Sequence, residues 1–384
     1  MRNDRDHKAS LGDLARVFLK LGTIAFGGPA AHIAMMEDEV VRRRRWMTRE
    51  EFLDLLGATN LIPGPNSTEL AIHVGHRQGG WAGLLVAGVS FILPAVLIVM
   101  AFAWAYVRYG SLPEVAGILY GVKPVIIVIV LQALWSLGKT AVKTKFLAVV
   151  GLAGVALTWL GVHELLILAG AGLVVVLVKV AAQRDGRLLS LSSITQTVFL
   201  LQSTTTITSS FGLLPLFLFF LKVGAVLYGS GYVLLAFIRA DLVERWHWLT
   251  ESQLLDAIAV GQVTPGPVFT TATFIGYVLG GYQGAMVATL GIFLPAFCFV
   301  ALSGPLVPRI RRSPTAGAFL DGVNVAALSL MVLVTFQLGR ASLVDVKTLL
   351  IGLISGFLLF RFRINSAWLV LAGATVGWIV VRVG

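Results

Sequence analysis

The chain has 384 residues, of which 57% are hydrophobic and 13% charged, and its mean hydropathy is +0.87. Because a soluble domain of this size carries roughly 25% charged residues, the composition excludes an ordinary soluble protein and predicts an all-α polytopic membrane protein. The net charge of +11 does not indicate nucleic-acid binding, since the basic residues lie in short loops between apolar runs. Cys298 is the only cysteine, which excludes an internal disulfide and a thiolate metal cluster.

Apolar runs and charged loops alternate along the first half. A polar tail without the features of a signal peptide precedes an apolar segment, 11–36, that contains Lys20 and the run Phe26-Gly27-Gly28-Pro29. A charged loop, 37–51, follows. Beyond the next segment, 52–74, runs long enough to span a bilayer occupy 82–106 and 115–137, and shorter ones occupy 146–160 and 165–180.

A Pro-Gly-Pro break interrupts the segment 52–74, in the stretch Asn60-Leu61-Ile62-Pro63-Gly64-Pro65-Asn66-Ser67-Thr68. Two prolines around a glycine stop a helix and leave backbone groups that must find partners inside the protein or on a ligand. The break recurs as Gln262-Val263-Thr264-Pro265-Gly266-Pro267. Broken apolar segments at matching positions of two halves are typical of a transporter's binding site.

The second half repeats the first nearly end to end, so we divide the chain into an N-terminal repeat (1–180), a Ser/Thr/Gln-rich linker (181–214) and a C-terminal repeat (215–384). The matched positions include Lys20 with Lys222, Trp46 with Trp248, Asp54 with Asp256, Pro94 with Pro295 and Gly121 with Gly322.

The loop charges predict that the two repeats are inverted with respect to each other. The loop 36–51 contains five Lys or Arg residues and its counterpart 238–253 contains two, whereas the next pair of loops shows the reverse bias, Arg108 against Arg309, Arg311 and Arg312. Under the positive-inside rule, this exchange places equivalent loops on opposite faces. An odd number of crossings per half follows, and we predict about five spans plus one broken or re-entrant helix in each.

The sequence resembles the chromate ion transporter family of bacterial membrane proteins in its long, duplicated form. The resemblance rests on Phe26-Gly27-Gly28-Pro29, on the acidic-then-basic stretch 37–46 that leads into Trp-Met-Thr, and on Asn60 to Pro65. It implies a multi-pass protein of the bacterial inner membrane that exports chromate from the cytoplasm and confers chromate resistance, with sulfate as a related or exchanged anion.

A site for such tetrahedral dianions needs amide and hydroxyl donors, and a helix that begins after Pro-Gly-Pro points its first amides at the break. Glycines next to the site would let the backbone approach the anion, and one lysine per half could add a positive charge. The predicted substrate-binding residues are Asn60, Pro63, Gly64, Pro65, Asn66, Ser67, Thr68, Thr264, Pro265, Gly266, Pro267, Thr270, Gly27, Gly28, Gly229, Lys20 and Lys222. Helix capping by the polar residues and snorkelling by the lysines are the competing structural interpretations.

Three other functions remain open at this stage: a transporter of sulfate or another oxyanion in either direction, an anion channel, and an intramembrane enzyme. We do not expect an enzyme, because the sequence contains no His-Glu-x-x-His and no Gly-x-Ser-x-Gly motif. No cofactor and no metal site are expected, the lipid bilayer is the expected environment, and a homodimer is compatible with the sequence.

Overall fold

A computed structural model describes residues 9–26, 28–183, 211–228, 231–311, 313–362 and 364–383. These residues form helices and connecting turns, with no β-strand among them. The helices are α1 (Leu11–Ile24), α2 (Gly28–Glu37), α3 (Arg49–Thr59), α4 (Asn66–Tyr109), α5 (Pro113–Ala141), α6 (Lys145–Trp159), α7 (Glu164–Gln183), α8 (Leu213–Val226), α9 (Leu234–Ile238), α10 (Glu251–Val263), α11 (Thr271–Arg311), α12 (Pro314–Ser342), α13 (Val346–Phe362) and α14 (Ser366–Val383).

Short helical turns of other types extend these helices at equivalent places in the two halves. A π-helix follows α2 at Asp38–Arg43 and follows α9 at Arg239–Arg245. In the second half, 3-10 turns at Gly231–Val233 and Val268–Thr270 lead into α9 and α11. The helices α3 and α10 both begin with a capping box, in which the Thr48 and Thr250 hydroxyls accept hydrogen bonds from the amides of Glu51 and Gln253.

The lengths of the helices and the apolar character of the protein surface are those of a multi-pass membrane protein. Five stretches of the described chain are long and apolar enough to cross a bilayer: Asn66–Tyr109, Pro113–Ala141, Glu164–Ala181, Val268–Ser303 and Pro314–Ser342. The outer helices also expose large apolar side chains, including Trp135, Leu152, Phe357 and Trp368. A soluble protein would bury such a surface, whereas lipid accommodates it.

The helices α4 and α11 are both bent back on themselves by a Gly-Gly pair. The backbone leaves the helical region at Gly79 and Gly80, where Gly80 has a φ of 58°, and in the same way at Gly280 and Gly281. Beyond the bend the chain returns along the first arm, so that Gly75 packs against the backbone of Gly83. Each Pro-Gly-Pro break is therefore followed by a short arm, a tight turn and a long arm.

The equivalent helices α5 and α12 lie side by side and run antiparallel. At one end, Lys143 Nζ is 2.6 Å from Asp321 Oδ1. At the other end, the Tyr120 hydroxyl donates a 2.6 Å hydrogen bond to Asp345 Oδ2, just beyond α12. Because residues early in α5 meet residues late in or just after α12, the two matched helices point in opposite directions.

The two halves exchange their last helices. The helix α5 packs against α13 and α14, and α12 packs against α6 and α7. Glycines allow the closest approaches: Gly121 lies against the backbone of Gly373 and Gly377, and Gly322 lies against that of Ala171. The repeats therefore form one interlocked bundle in which each half completes the core of the other.

Adding one methyl group at Gly75 should destabilise the fold. In Gly75→Ala the new Cβ would collide with the Gly83 carbonyl oxygen and the Ala87 side chain, and overpacking of this kind costs about 1–3 kcal/mol. We expect a fall of several degrees in apparent Tm, measured on detergent-solubilised protein. The control is Gly57→Ala in α3, where a Cβ would meet nothing within 4 Å; an equal loss in both variants would contradict the hairpin packing.

Candidate functional site

Each Pro-Gly-Pro break is hydrogen-bonded to the end of the first helix of the other repeat. The amide of Gly64 donates to the carbonyl oxygen of Leu227, at the end of α8, over 2.8 Å. The amide of Gly266 donates to the carbonyl oxygen of Ala25, at the end of α1, over 3.1 Å. Both glycines have positive φ, 136° and 92°, which side chains with a Cβ rarely adopt. The two breaks and the two helix ends therefore meet in the middle of the bundle.

A cavity of about 250 Å³ lies at this meeting point, and we call it the break cavity. Four helical segments begin at its wall: α2 with Pro29, α4 with Asn66, the turn before α9 with Gly231 and the turn before α11 with Val268. The full lining is Pro29, Ala30, His32, Gly64, Pro65, Asn66, Ser67, Ala133, Ser136, Leu137, Gly231, Pro267, Val268 and Phe269. Helix starts carry amides without an intrahelical acceptor and the positive end of the helix dipole, so the wall of this cavity has the features of an anion site.

His32 contributes a polar side chain that the sequence analysis did not identify as a site residue. It is buried, and its Nε2 lies 3.0 Å from the carbonyl oxygen of Ala25. Since a carbonyl only accepts, Nε2 carries the proton, and Nδ1 accepts a 3.2 Å hydrogen bond from the Ser67 hydroxyl. The position of His32, one turn after Gly28, was the feature that could have identified it.

Of the two breaks, only the one in the first repeat places polar side chains in the lining of the break cavity. Where it contributes Asn66 and Ser67, the matched positions of the second repeat contribute Val268 and Phe269. The predicted residue Thr270 is buried and donates its hydroxyl to the carbonyl oxygen of Pro267 over 2.8 Å. The two breaks are thus alike in backbone shape and different in side-chain chemistry.

Other predicted residues on the breaks lie beside the break cavity. The Thr264 hydroxyl donates to the Val260 carbonyl oxygen over 2.6 Å, which caps α10. Thr68 is buried, and its hydroxyl has no hydrogen-bond partner among the described residues. Pro63 and Pro265 flank the two glycines. Neither threonine is in the cavity lining.

Asn66 also faces a second cavity, of about 470 Å³, that shares Asn66 and Leu137 with the first. Its side-chain amide donates to Asn60 Oδ1 over 2.8 Å. The further polar residues of this second cavity, which we call the Lys143 cavity, are Thr140, Lys143, Tyr228, Asp321 and Asn324.

The predicted lysines are engaged with carboxylates away from the break cavity. Lys20 Nζ is 3.0 Å from Glu39 Oε2, and Arg44 Nε is 3.0 Å from the other oxygen of that carboxyl. Burial acts to raise the pKa of Glu39, but the hydrogen bonds and charges of Lys20 and Arg44 outweigh it and hold this pKa below its usual value. The second repeat has the same arrangement, in which Lys222 and Arg245 pair with Asp241.

Gly28, the first residue of α2, has a φ of 77°. The predicted residues Gly27 and Gly229 lie outside the described part of the chain. Elsewhere, Asp256 is buried and pairs with Lys123 at 3.3 Å and with the Tyr106 hydroxyl at 2.9 Å. Within the described ranges, no group of three His, Cys, Asp or Glu side chains is placed to hold a metal ion.

Comparison with known proteins gives the same duplicated pattern. The sequence matches the family described as chromate transporter in two regions, residues 12–176 and 214–378. It is 35% identical to the chromate transport protein of Cupriavidus metallidurans over 96% of this chain and 92% of that protein. It is 34% identical to the probable chromate transport protein of Synechococcus elongatus over 90% of this chain and 89% of that protein.

A shorter relative matches less than half of the chain. The uncharacterized transporter YwrA of Bacillus subtilis is 30% identical over 41% of this chain and 91% of its own length. No solved structure matches the chain. The match of both halves and the similarity to full-length relatives bear out the resemblance drawn from the motifs, and the chain belongs to the chromate transporter family.

Proposed function

We propose that this protein carries chromate out of the cytoplasm as a secondary transporter, and that the break cavity is its oxyanion site. The convergence of four helix starts on one cavity is the observation that supports this proposal most strongly. Helix N-termini bind phosphate and sulfate through backbone amides, and chromate has the same tetrahedral shape and double negative charge. The names of the full-length relatives support chromate as the substrate.

The side chains around the cavity are suited to binding an anion reversibly, as a transporter must. The amide group of Asn66 and the hydroxyl of Ser136 are neutral donors at the cavity wall, whereas the Ser67 hydroxyl donates to His32. Among the described residues that line the cavity there is no lysine or arginine, and Lys20 and Lys222 pair with Glu39 and Asp241 instead. A site built from dipoles and neutral donors binds a dianion without the strong attraction of a buried cation, which would slow release.

The membrane potential supplies enough energy for export. One charge that moves across 100 mV changes its free energy by about 2.3 kcal/mol, so a dianion that leaves an inside-negative cell gains about 4.6 kcal/mol. At about 1.4 kcal/mol for each tenfold ratio, this supports a gradient of roughly three decades. Chromate resistance would follow from this export, and sulfate is the related anion that we expect to compete or exchange.

We also propose that the two repeats have inverted membrane topology, with five spans in each. The antiparallel packing of α5 and α12 supports this arrangement, and so does the exchange of Lys and Arg bias between matched loops. Inverted repeats with broken helices at their interface allow alternating access to one central site.

Asn66→Ala should raise the KM for chromate. A hydrogen bond to a charged group contributes about 1.5–3 kcal/mol, which corresponds to roughly 10- to 100-fold. The measurement is saturable, potential-dependent chromate uptake into everted vesicles, with sulfate as competitor. Thr270→Ala should have a smaller effect, because its hydroxyl is bonded to Pro267 rather than directed at the cavity.

The control for this series is Asn365→Ala, which removes an exposed asparagine at the start of α14 and should leave KM unchanged. An unchanged KM in Asn66→Ala would contradict the assignment of the site. Flux that does not saturate with chromate would indicate a channel, and saturable flux of sulfate without chromate flux would indicate a different oxyanion transporter.

Inverted topology predicts that equivalent loops face opposite sides of the membrane. In a Cys298→Ser background, Leu160→Cys and Asn365→Cys place a thiol at matched exposed turns, after α6 and after α13. We expect a membrane-impermeant maleimide to label one of them in intact cells and the other only in everted vesicles. Labelling of both from the same side would contradict the inversion.

A further inference from the structure

Glu69 is a buried acid that the site described so far does not use. It lies on the first turn of α4, three residues after Asn66, and its side chain is fully buried. Neither carboxyl oxygen has a hydrogen-bond partner among the described residues. A buried carboxylate without a donor or a cation is strongly disfavoured, so the group carries a proton in this conformation.

The Glu69 carboxyl lies against the first break. One of its oxygens lies so close to Gly64 that a Cβ there would collide with it, so Gly64 is needed for space as well as for its φ. Gly64 itself lines the break cavity. An anion in the cavity and a charge on Glu69 would therefore be separated by little more than one residue of backbone.

Within the described part of the chain, no lysine or arginine forms a hydrogen bond or ion pair with the Glu69 carboxyl. One ionisable side chain outside α4 interacts electrostatically with Glu69. It is Tyr228, in the segment after α8. On the side of α11, the group nearest Gly64 is the apolar Ala296, and His32 of α2 faces Ser67 instead. The matched position in the second repeat is Thr271, whose hydroxyl donates to Val268 over 2.8 Å. The unpaired acid is therefore a feature of the first repeat.

Two histidines continue from Glu69 along the same face of the short arm of α4. Glu69, His73 and His76 are spaced i, i+4 and i+7, which places them in one row. His73 is buried, its Nε2 has no hydrogen-bond partner in the described chain, and it interacts electrostatically with His76. His76 is partly exposed and packs its ring edge against Trp81, next to the bend at Gly79 and Gly80. Rows of acid and histidine side chains inside membranes are typical of proton paths.

We propose that Glu69 is a proton-binding site coupled to the oxyanion, and that His73 and His76 connect it to the surface at the bend of α4. This inference rests on the proposed function and adds the coupled ion to it. A dianion in the break cavity favours the neutral form of Glu69, and by linkage a neutral Glu69 favours the dianion. One proton then travels with each chromate, so the net charge moved falls from two to one and the free energy that the membrane potential supplies to each exported chromate is halved.

The test measures protons moved per chromate in proteoliposomes that contain the full-length protein. Radiolabelled chromate reports the anion, a trapped pH-sensitive dye reports the proton, and alkaline pH keeps chromate wholly in its dianionic form. The wild type should move about one proton with each chromate, in the same direction. Glu69→Gln should move chromate with no accompanying proton and should lose the pH dependence of flux.

Further variants separate coupling from folding. Glu69→Asp should restore proton movement, and Thr271→Val, at the matched position of the second repeat, should keep the wild-type ratio. His73→Gln should slow both fluxes several-fold and leave their ratio unchanged, as expected of a path rather than a binding site. Proton movement that persists in Glu69→Gln would overturn the proposal.

The two proposals fail in different ways in this experiment. Chromate flux without proton movement in the wild type would overturn the coupling and leave the transport function in place. Absence of chromate flux in correctly folded wild-type protein would overturn the transport function and the coupling with it.

Discussion

The structure depends on how two interrupted helices satisfy their backbone inside a membrane. Unpaired amides and carbonyls in a bilayer cost several kcal/mol each, and the prolines of each break prevent the usual helical partners. The bundle resolves this by cross-bonding, from Gly64 to Leu227 and from Gly266 to Ala25. In each case the acceptor belongs to the other repeat. These two hydrogen bonds tie the two halves together at the breaks.

The repeats share a backbone and differ in the chemistry that it presents. Both contain the Gly-Gly bend, the π-helical turn and the lysine–carboxylate pair. The first repeat places Asn66, Ser67 and Glu69 where the second has Val268, Phe269 and Thr271. Duplication therefore supplies the frame, and divergence has concentrated polar side chains on one side of the site. This asymmetry is consistent with the proposal of one oxyanion site rather than two equal ones.

Local sequence patterns were sufficient to predict the helical membrane fold, the duplication and the two breaks, because apolar runs, prolines and repeats are readable along the chain. Contacts between residues far apart in the sequence could not be predicted in this way. The Lys20–Glu39 pair required knowledge of how α1 meets the turn after α2, and the role of His32 required the position of Ala25. The Gly79-Gly80 pair marked a segment end in the sequence, but only the folded chain shows the two arms of α4 packed together.

The central claim is that an oxyanion binds where the two breaks meet. The most direct measurement is a chromium anomalous-difference map from crystals of the protein grown with chromate. We expect a peak in the break cavity, within hydrogen-bonding distance of the first amides of α4 and of the Asn66 side-chain amide. A peak elsewhere, such as the separate cavity of about 660 Å³ beside Lys123 and Ser252, with none between the breaks, would contradict it.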